Sequence, residues 1–283
     1  MKGGALFPVR LRYTKRGKVR WISHRDVARA FERALRIEQL PLAFTEGFSP
    51  RPKVSFGLAL PTGYESDAEY LDLELVSEVD LDTLPAAISD ALPSGIDVIG
   101  ASALDERAPA LMDVVTSTEW VVTVVASDGS PLARGALTST VDDALQMPVL
   151  DTTRHRKGRE VVEDVRPVIS RIDVHRDVEG NDTSCTMELR TQPRSAKPGD
   201  VLAAIASATA ISGGLAEAGV LRTHQWIERD GARLEPHCAD TRPRVLVARD
   251  LNKGTPDVRR DHDTGTLAGV AHAAGGTGPE QGN

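Results

Sequence analysis

A basic strand, a capped basic helix and a proline-stiffened loop follow one another between Val9 and Lys53. This stretch reads VRLRYTKRGKVRWISHRDVARAFERALRIEQLPLAFTEGFSPRPK. The first 53 residues hold 13 Lys/Arg and 4 Asp/Glu, a net charge of +9, whereas the whole 283-residue chain carries −7. The remaining residues therefore carry −16. This uneven distribution of charge predicts a polyanionic partner for the first part of the chain.

Ser23 and Asp26 mark the start of the helix. They form a variant of the S/T-x-x-E capping box, with Asp in place of Glu. Apolar residues at helical spacing predict a buried face, made of Val27, Ala30, Phe31, Ala34 and Leu35. The opposite face carries Arg25, Arg29, Arg33 and Arg36, with Glu32 among them.

This arginine face is either an ordinary solvated helix surface or a surface that follows a phosphate backbone. The flanking residues favour the second interpretation because they carry the same sign. They are Arg10, Arg12, Lys15, Arg16, Lys18 and Arg20.

His24 lies in the first turn of the predicted helix, beside Ser23. A histidine there could act as a general base, for instance on a ribose hydroxyl. The alternative is a surface residue that only makes local hydrogen bonds. No catalytic residue is assigned from the sequence; His24 is a candidate, and no acid partner is visible beside it in the sequence.

The loop Glu46–Lys53 is predicted to be extended and stiff, because Pro50 and Pro52 each restrict the residue before them. Phe48, Arg51 and Lys53 could present one aromatic ring and two cations together. That combination suits a stacked base next to a phosphate. The alternative is a rigid crossover with Phe48 in the core.

Several motifs resemble a known family. SHRD with the following RALR helix, then LPLAFTEGFSPRPKVSFGLALPTGYES and EYLDLEL, are similar to the bacterial radical-SAM-linked protein family, a domain of unknown function. RHRKGREVVEDVRP resembles the second basic block of that family. The resemblance spans roughly Val9 to Glu228. Members are encoded beside, or fused to, cobalamin-binding radical SAM proteins, so it implies such a partner. It implies no established activity and no catalytic residues.

The two cysteines, Cys185 and Cys238, lie far apart and form no CxxC or CxxxCxxC motif. His237 and Cys238 are adjacent, but nothing completes a four-ligand metal site. We therefore expect no metal and no cofactor on this chain. The iron-sulfur cluster, SAM and cobalamin are expected only on the partner.

No apolar run approaches the roughly 20 residues that a membrane-spanning helix needs. The N-terminus also lacks the hydrophobic region of a signal peptide. We therefore expect a cytoplasmic protein with no membrane contact. The sequence leaves the oligomeric state open.

The predicted order of elements in residues 5–108 is strand, helix, strand, strand, helix, strand, which is the ferredoxin-like split βαβ arrangement. Residues 112–235 repeat this order. The predicted fold is therefore α+β, with two tandem ferredoxin-like domains. Residues 236–283 lose periodic apolar residues and hold no Phe, Trp or Tyr, which predicts a disordered tail.

Two further surfaces stand out by charge. Between Val54 and Trp120 there are 14 acids and one base, which indicates a solubilising surface, a docking face for a basic partner or a wall that repels nucleic acid. A predicted hairpin carries a basic tip that is either an RNA-binding element or simply an exposed, mobile turn. The tip holds Arg154, His155, Arg156, Lys157 and Arg159.

The favoured function is a non-catalytic nucleic-acid-binding accessory protein, with RNA as the expected ligand and a radical SAM protein as partner. One alternative is a metal-independent RNA-processing enzyme that uses His24. Another is a protein-interaction module that docks through its acidic face. The candidate nucleic-acid-binding residues are Arg10, Arg12, Arg20, Arg25, Arg29, Arg33, Phe48, Arg51, Lys53, Arg154, Arg156, Lys157 and Arg159.

Overall fold

This computed structural model describes residues 6–105, 108–156, 158–176, 183–209 and 211–239. The strands are β1 (Phe7–Lys15), β2 (Val54–Phe56), β3 (Glu65–Leu75), β4 (Ile96–Ala103), β5 (Ser117–Val125), β6 (Asp151–Arg156), β7 (Arg159–Asp164), β8 (Ile169–Arg176), β9 (Thr183–Arg190), β10 (Ala216–Arg229) and β11 (Ala232–Leu234). The helices are α1 (His24–Ile37), α2 (Leu84–Ala91), α3 (Leu111–Val114), α4 (Arg134–Leu145), α5 (Pro198–Thr209) and α6 (Pro236–Ala239).

One sheet runs through both halves of the described chain, in the order β4-β1-β3-β10-β5-β9-β8. β2 pairs with β3, and β11 pairs with β10, whereas β6 and β7 form a separate hairpin. The first half contributes the order β4-β1-β3-β2, and the second half contributes β10-β5-β9-β8. Every pair between these strands is antiparallel except β10 with β3, so the sheet is mixed.

The first core lies between α1, α2 and one face of the sheet. Val9, Leu11 and Tyr13 of β1 and Leu71, Leu73 and Leu75 of β3 point into this core, because every second side chain of a strand lies on the same face. The largest buried apolar side chains of this core are Leu11, Phe31, Leu35, Leu71, Leu73, Leu75, Ile88 and Ile96. Tyr13 contacts Phe31 edge to face, with ring centroids 4.8 Å apart. This packing holds α1 with its opposite face towards solvent.

A second core contains residues of α4, α5, β5, β8, β9 and β10. Trp120, Val122 and Val124 point into it from β5, at the alternate spacing expected of a strand with one buried face. Cys185 is also buried there, and burial raises its thiol pKa to about 12. A buried, protonated thiol is a packing residue and not a nucleophile.

β10 joins the two halves by pairing in parallel with β3, where Leu221 lies opposite Glu65 and Arg222 opposite Ser66. A side-chain hydrogen bond also connects β10 to β3. Gln225 Nε2 donates to the Ala68 carbonyl at 2.6 Å.

The α+β class is confirmed, with a large mixed sheet at its centre. The predicted order of elements in the first half is also confirmed. The division into two tandem ferredoxin-like domains stays a prediction, because a single sheet crosses the expected boundary. The described residues all fall within one unit, Met1–Pro243.

The predicted tail begins at residue 236, but Pro236–Ala239 form the short helix α6. Residues 240–283 lie outside the described residues. Among the described helices, none is long and apolar enough to cross a membrane.

Candidate nucleic-acid interface

The capping box at the start of α1 forms as the sequence predicts. Ser23 Oγ donates to Asp26 Oδ2 at 2.6 Å, and its oxygen accepts from the Asp26 backbone N–H at 3.3 Å. Asp26 Oδ2 also accepts from the Ser23 backbone N–H at 3.3 Å. The hydrogen bonds from Ser23, and then the charges of Arg29 and Arg25, lower the pKa of Asp26. The carboxylate therefore fixes where the helix begins.

The arginine face of α1, defined as Arg25, Arg29, Arg33 and Arg36, is exposed to solvent. Val27, Phe31, Ala34 and Leu35 are buried on the opposite side. Arg29 Nη1 lies 3.4 Å from Asp26 Oδ1, but both side chains are at least half exposed, so the pair is weak. The guanidinium groups of Arg25, Arg33 and Arg36 make no hydrogen bond or ion pair with any residue that the structure describes.

The loop after α1 folds back on itself as a narrow hairpin. Phe44 and Pro52 form an isolated bridge, and the Thr45 N–H donates to the Arg51 carbonyl at 2.9 Å. Phe48 at the tip is fully exposed, so the alternative of a core position for this ring is wrong. Arg51 is also exposed. Lys53 differs, because its Nζ lies 2.7 Å from Glu74 Oε2.

Trp21 is a second exposed ring, at the other end of α1, and sequence reasoning missed it. Its side chain is 64% exposed, and the Arg20 guanidinium lies 5.3 Å from the ring centroid. Gly63, with φ of +92°, leaves room for the indole, because a Cβ there would lie 3.0 Å from it. The available signal was a tryptophan between a basic run and a helix cap, outside the apolar periodicity.

His24 is exposed and lies edge to face against Phe56, with ring centroids 5.2 Å apart. Within the described part of the chain, no carboxylate or second histidine pairs with it. A two-group acid–base mechanism would need such a partner. The catalytic role of His24 stays a prediction.

Arg10 does not reach the surface, which corrects its assignment as a phosphate contact. Its side chain is fully buried on the face of β1 opposite α1, and its Nε and Nη2 donate to the two oxygens of Asp72 at 2.7 and 2.9 Å. Nη1 donates to the Pro236 carbonyl at 2.9 Å. Arg12, on the same face, is largely buried and pairs with Glu235 at 2.7 Å. Both guanidinium groups attach α6 and the residue before it to the sheet.

The hairpin β6–β7 forms as predicted, but Arg154 is not part of a free basic tip. Its Nη1 lies 3.2 Å from Glu163 Oε2, and its Nη2 lies 2.8 Å from Asp200 Oδ2. Arg159 is exposed. Residue Lys157 and the side chains of His155 and Arg156 lie outside what the structure describes.

Arg20 keeps a partly exposed guanidinium that lies 3.4 Å from Glu65 Oε1. The structure thus places nine of the thirteen predicted residues in one of two groups. Arg25, Arg29, Arg33, Phe48 and Arg51 are exposed on α1 and the following loop, whereas Arg10, Arg12, Lys53 and Arg154 are held by carboxylates.

A row of charged residues crosses the sheet and was also missed by sequence reasoning. Arg171, Glu188, Glu119 and His224 lie opposite one another on β8, β9, β5 and β10. Arg233 of β11 bridges the two carboxylates, at 3.1 Å from Glu188 and 3.5 Å from Glu119. The row brings together positions more than 100 residues apart, so no local motif signals it.

A family profile matches residues 9–198, which is more than half of the chain. The family is described as "Uncharacterized protein conserved in bacteria (DUF2344)". The chain belongs to the DUF2344 family. This confirms the predicted membership of a bacterial family of unknown function, whereas the link of this DUF2344 protein to radical SAM proteins stays a prediction. No curated protein matches the chain.

Several solved structures are similar to this DUF2344 chain. One is a chain in the crystal structure of a Cbf5-Nop10-Gar1 complex, with 10% identity, a TM-score of 0.44 and coverage of 77% of this chain and 48% of that one. Another is from the structure of an H/ACA RNP bound to a substrate RNA containing 2'-deoxyuridine, with 11% identity, a TM-score of 0.42 and coverage of 77% and 47%. The chain thus spans about half the length of these solved chains. Similarity at this level establishes neither a common fold nor a common function.

Proposed function

We propose that this DUF2344 protein is a non-catalytic RNA-binding accessory protein. The observation that carries the proposal is the exposed arginine face of α1, with exposed aromatic rings at Trp21 before the helix and Phe48 after it. In a chain with a net charge of −7, this local basic surface gives an anion a defined place to bind.

Unpaired RNA suits these residues better than a duplex. Guanidinium groups bind phosphates, and exposed rings stack on bases that are free of a partner base. Phe48 protrudes from a narrow loop, where it can reach a base without any change in the core. Arg51, three residues after Phe48 in the same loop, is also exposed and can bind a neighbouring phosphate.

The resemblance to the radical-SAM-linked family supports a partner that carries the iron-sulfur cluster, SAM and cobalamin. In this proposal the chain recruits RNA in the cytoplasm, and the partner modifies it. The identical strand orders β4-β1-β3-β2 and β10-β5-β9-β8 support the further proposal of two ferredoxin-like units, with the hairpin β6–β7 inserted in the second.

The acidic surface around α2 favours a second role, as a docking face for a basic partner protein. Its exposed acids are Glu78, Asp80, Asp82, Asp90 and Asp97. Because α2 packs beside α1, these carboxylates also repel phosphates and restrict RNA to the arginine face. Charge reversal at Asp82 and Asp90 should abolish capture of the partner protein and leave RNA binding intact.

Photocrosslinking tests the proposed interface. The full-length protein is irradiated with a short single-stranded RNA that contains 4-thiouridine, and crosslinked peptides are identified by mass spectrometry. We expect crosslinks within residues 16–36 and 44–53, and fewer of them for Phe48→Ala. Crosslinks confined to other segments, or none, would contradict the proposal.

The same RNA is checked for cleavage without added metal. We expect intact RNA. Cleavage that is lost in His24→Ala, with binding retained, would favour the processing enzyme instead.

A further inference from the structure

An open cleft of about 370 Å³ lies where the hairpin β6–β7 meets the loop between β9 and α5. It is lined by Glu163, Thr191, Pro193, Arg194 and Ser195. Small-molecule sites in proteins commonly measure about 300–1,000 Å³. The cleft is therefore large enough for a small polar ligand, and it is separate in sequence from α1 and its flanking loops.

The walls of the cleft are held in place by contacts within the protein. Arg154 Nη1 contacts both walls, because it lies 3.2 Å from Glu163 Oε2 and donates to the Ser195 carbonyl at 3.4 Å. Its Nη2 ties the same group to Asp200 at the start of α5. Thr191 Oγ1 donates to a backbone carbonyl just before β5. A site whose walls are already fixed loses little conformational entropy when a ligand binds.

Arg194 is the free cation of the cleft. It is exposed, and its guanidinium makes no hydrogen bond or ion pair with any described residue. A planar guanidinium donates two parallel hydrogen bonds to a phosphate. Lys197, three residues later in the chain, is also exposed.

Glu163 supplies a negatively charged hydrogen-bond acceptor to the same cleft. Its side chain is only 12% exposed, and Arg154 keeps it oriented along the cleft wall. A carboxylate has about four acceptor positions, so Glu163 can accept from a sugar hydroxyl in addition to its contacts within the protein. Pro193 adds an apolar ring that can contact a sugar or a base. A cation for phosphate, an acceptor for hydroxyls and an apolar ring together match a phosphorylated ribonucleoside.

We propose that this cleft binds one phosphorylated ribonucleotide, with Arg194 on the phosphate and Glu163 accepting from the ribose 2'-hydroxyl. The ligand is either a free mononucleotide or one residue of an RNA. The site is distinct from the arginine face of α1, and its existence does not depend on that face.

Calorimetric titration of the full-length protein with uridine 5'-monophosphate and with a four-residue RNA tests the site. Arg194→Ala should weaken binding by about 10- to 100-fold, the effect of losing one charged hydrogen-bonding group. Arg190→Ala is the matched control, because Arg190 is exposed at the end of β9 and outside the cleft. Glu163→Gln should reduce the preference for the ribonucleotide over its 2'-deoxy counterpart.

Comparing the two ligands, with and without the α1 substitutions, distinguishes a free-nucleotide site from an RNA subsite. Mononucleotide binding that depends on Arg194 identifies a free-nucleotide site. The RNA is also titrated into a protein that carries Arg25→Ala, Arg29→Ala and Arg33→Ala. If binding depends on Arg194 in this protein for the RNA but not for the mononucleotide, the cleft is an RNA subsite. Binding of neither ligand at millimolar concentration, or equal affinities for Arg194→Ala and Arg190→Ala, would overturn the proposal. Circular dichroism of each variant shows that the fold is retained.

Discussion

Arg222 Nη1 lies 3.0 Å from Oε1 of Glu69, and neither side chain is more than 5% exposed. The pair links β10 to β3 at the junction of the two halves. The guanidinium also donates to the carbonyls of Leu58 at 2.9 Å and Ala59 at 3.2 Å, and lies 4.7 Å from the centroid of the Trp120 ring. Burial raises the pKa of Glu69, while Arg222 lowers it, so the carboxylate depends on its partner to remain charged.

Arg222→Met should reduce the free energy of unfolding by about 3–5 kcal/mol, because it leaves Glu69 buried without its cation. Urea denaturation measures the change. The double variant Arg222→Met with Glu69→Met should lose much less than the two single variants added together. Arg29→Ala, which breaks an exposed pair, is the control and should change stability by less than about 0.5 kcal/mol. A loss below about 1 kcal/mol in Arg222→Met would contradict this account of the junction.

Ser23→Ala should destabilise the protein by about 1 kcal/mol, because it removes the N-cap hydrogen bond of α1. Thr83→Ala is a matched control, since Thr83 is the N-cap of α2 but its side chain makes no capping hydrogen bond. Chemical denaturation compares the two. Equal effects would show that the capping box does not anchor α1.

His237 should make stability depend on pH. Burial lowers the pKa of its imidazole, although Glu235 acts in the opposite direction. The unfolded chain therefore binds the proton more tightly, and the stabilisation is present above the unfolded pKa of about 6.5 and is lost as pH falls through the folded pKa. Unfolding measured at pH 7.5 and 5.5 should show a smaller loss for His237→Gln than for the wild type. An identical loss would assign the pH dependence to other groups.

Phe48→Ala should weaken binding of single-stranded RNA by about 1–3 kcal/mol if the ring stacks on one base. Because Phe48 is fully exposed, its removal should leave the unfolding midpoint unchanged. Phe48→Tyr, which keeps the aromatic face, should retain affinity. Fluorescence anisotropy with a labelled RNA distinguishes these outcomes, and equal affinity of the alanine and tyrosine variants would exclude stacking.

Sequence patterns predicted those features that depend on neighbouring residues. The capping box at Ser23, the buried face around Phe31 and the exposed arginines of α1 all follow from helical periodicity. The exposure of Phe48 did not, because two prolines are equally compatible with a loop tip and with a core crossover.

The partners of buried charges could not be predicted, because they are far apart in the chain. Arg10 pairs with Asp72 and Arg154 with Asp200, and each looks in sequence like one more member of a basic cluster. The partner of Arg222 is also distant in the sequence, because Glu69 lies on a strand of the other half. Alternation within a strand indicates which side chains share a face, but it does not indicate what covers that face.

The salt dependence of RNA binding tests the central claim most directly. Affinity for a short single-stranded RNA is measured at several salt concentrations for the wild type and for two triple variants. The α1 variant carries Arg25→Ala, Arg29→Ala and Arg33→Ala. The control variant carries Arg134→Ala, Arg190→Ala and Arg229→Ala, at exposed positions elsewhere. The α1 variant should bind more weakly, and the slope of log affinity against log salt should fall by up to about two units, because three phosphate contacts no longer release counterions. The control should retain the wild-type slope. Equal affinity and slope for the α1 variant and the wild type would show that the arginine face is only a solvated surface.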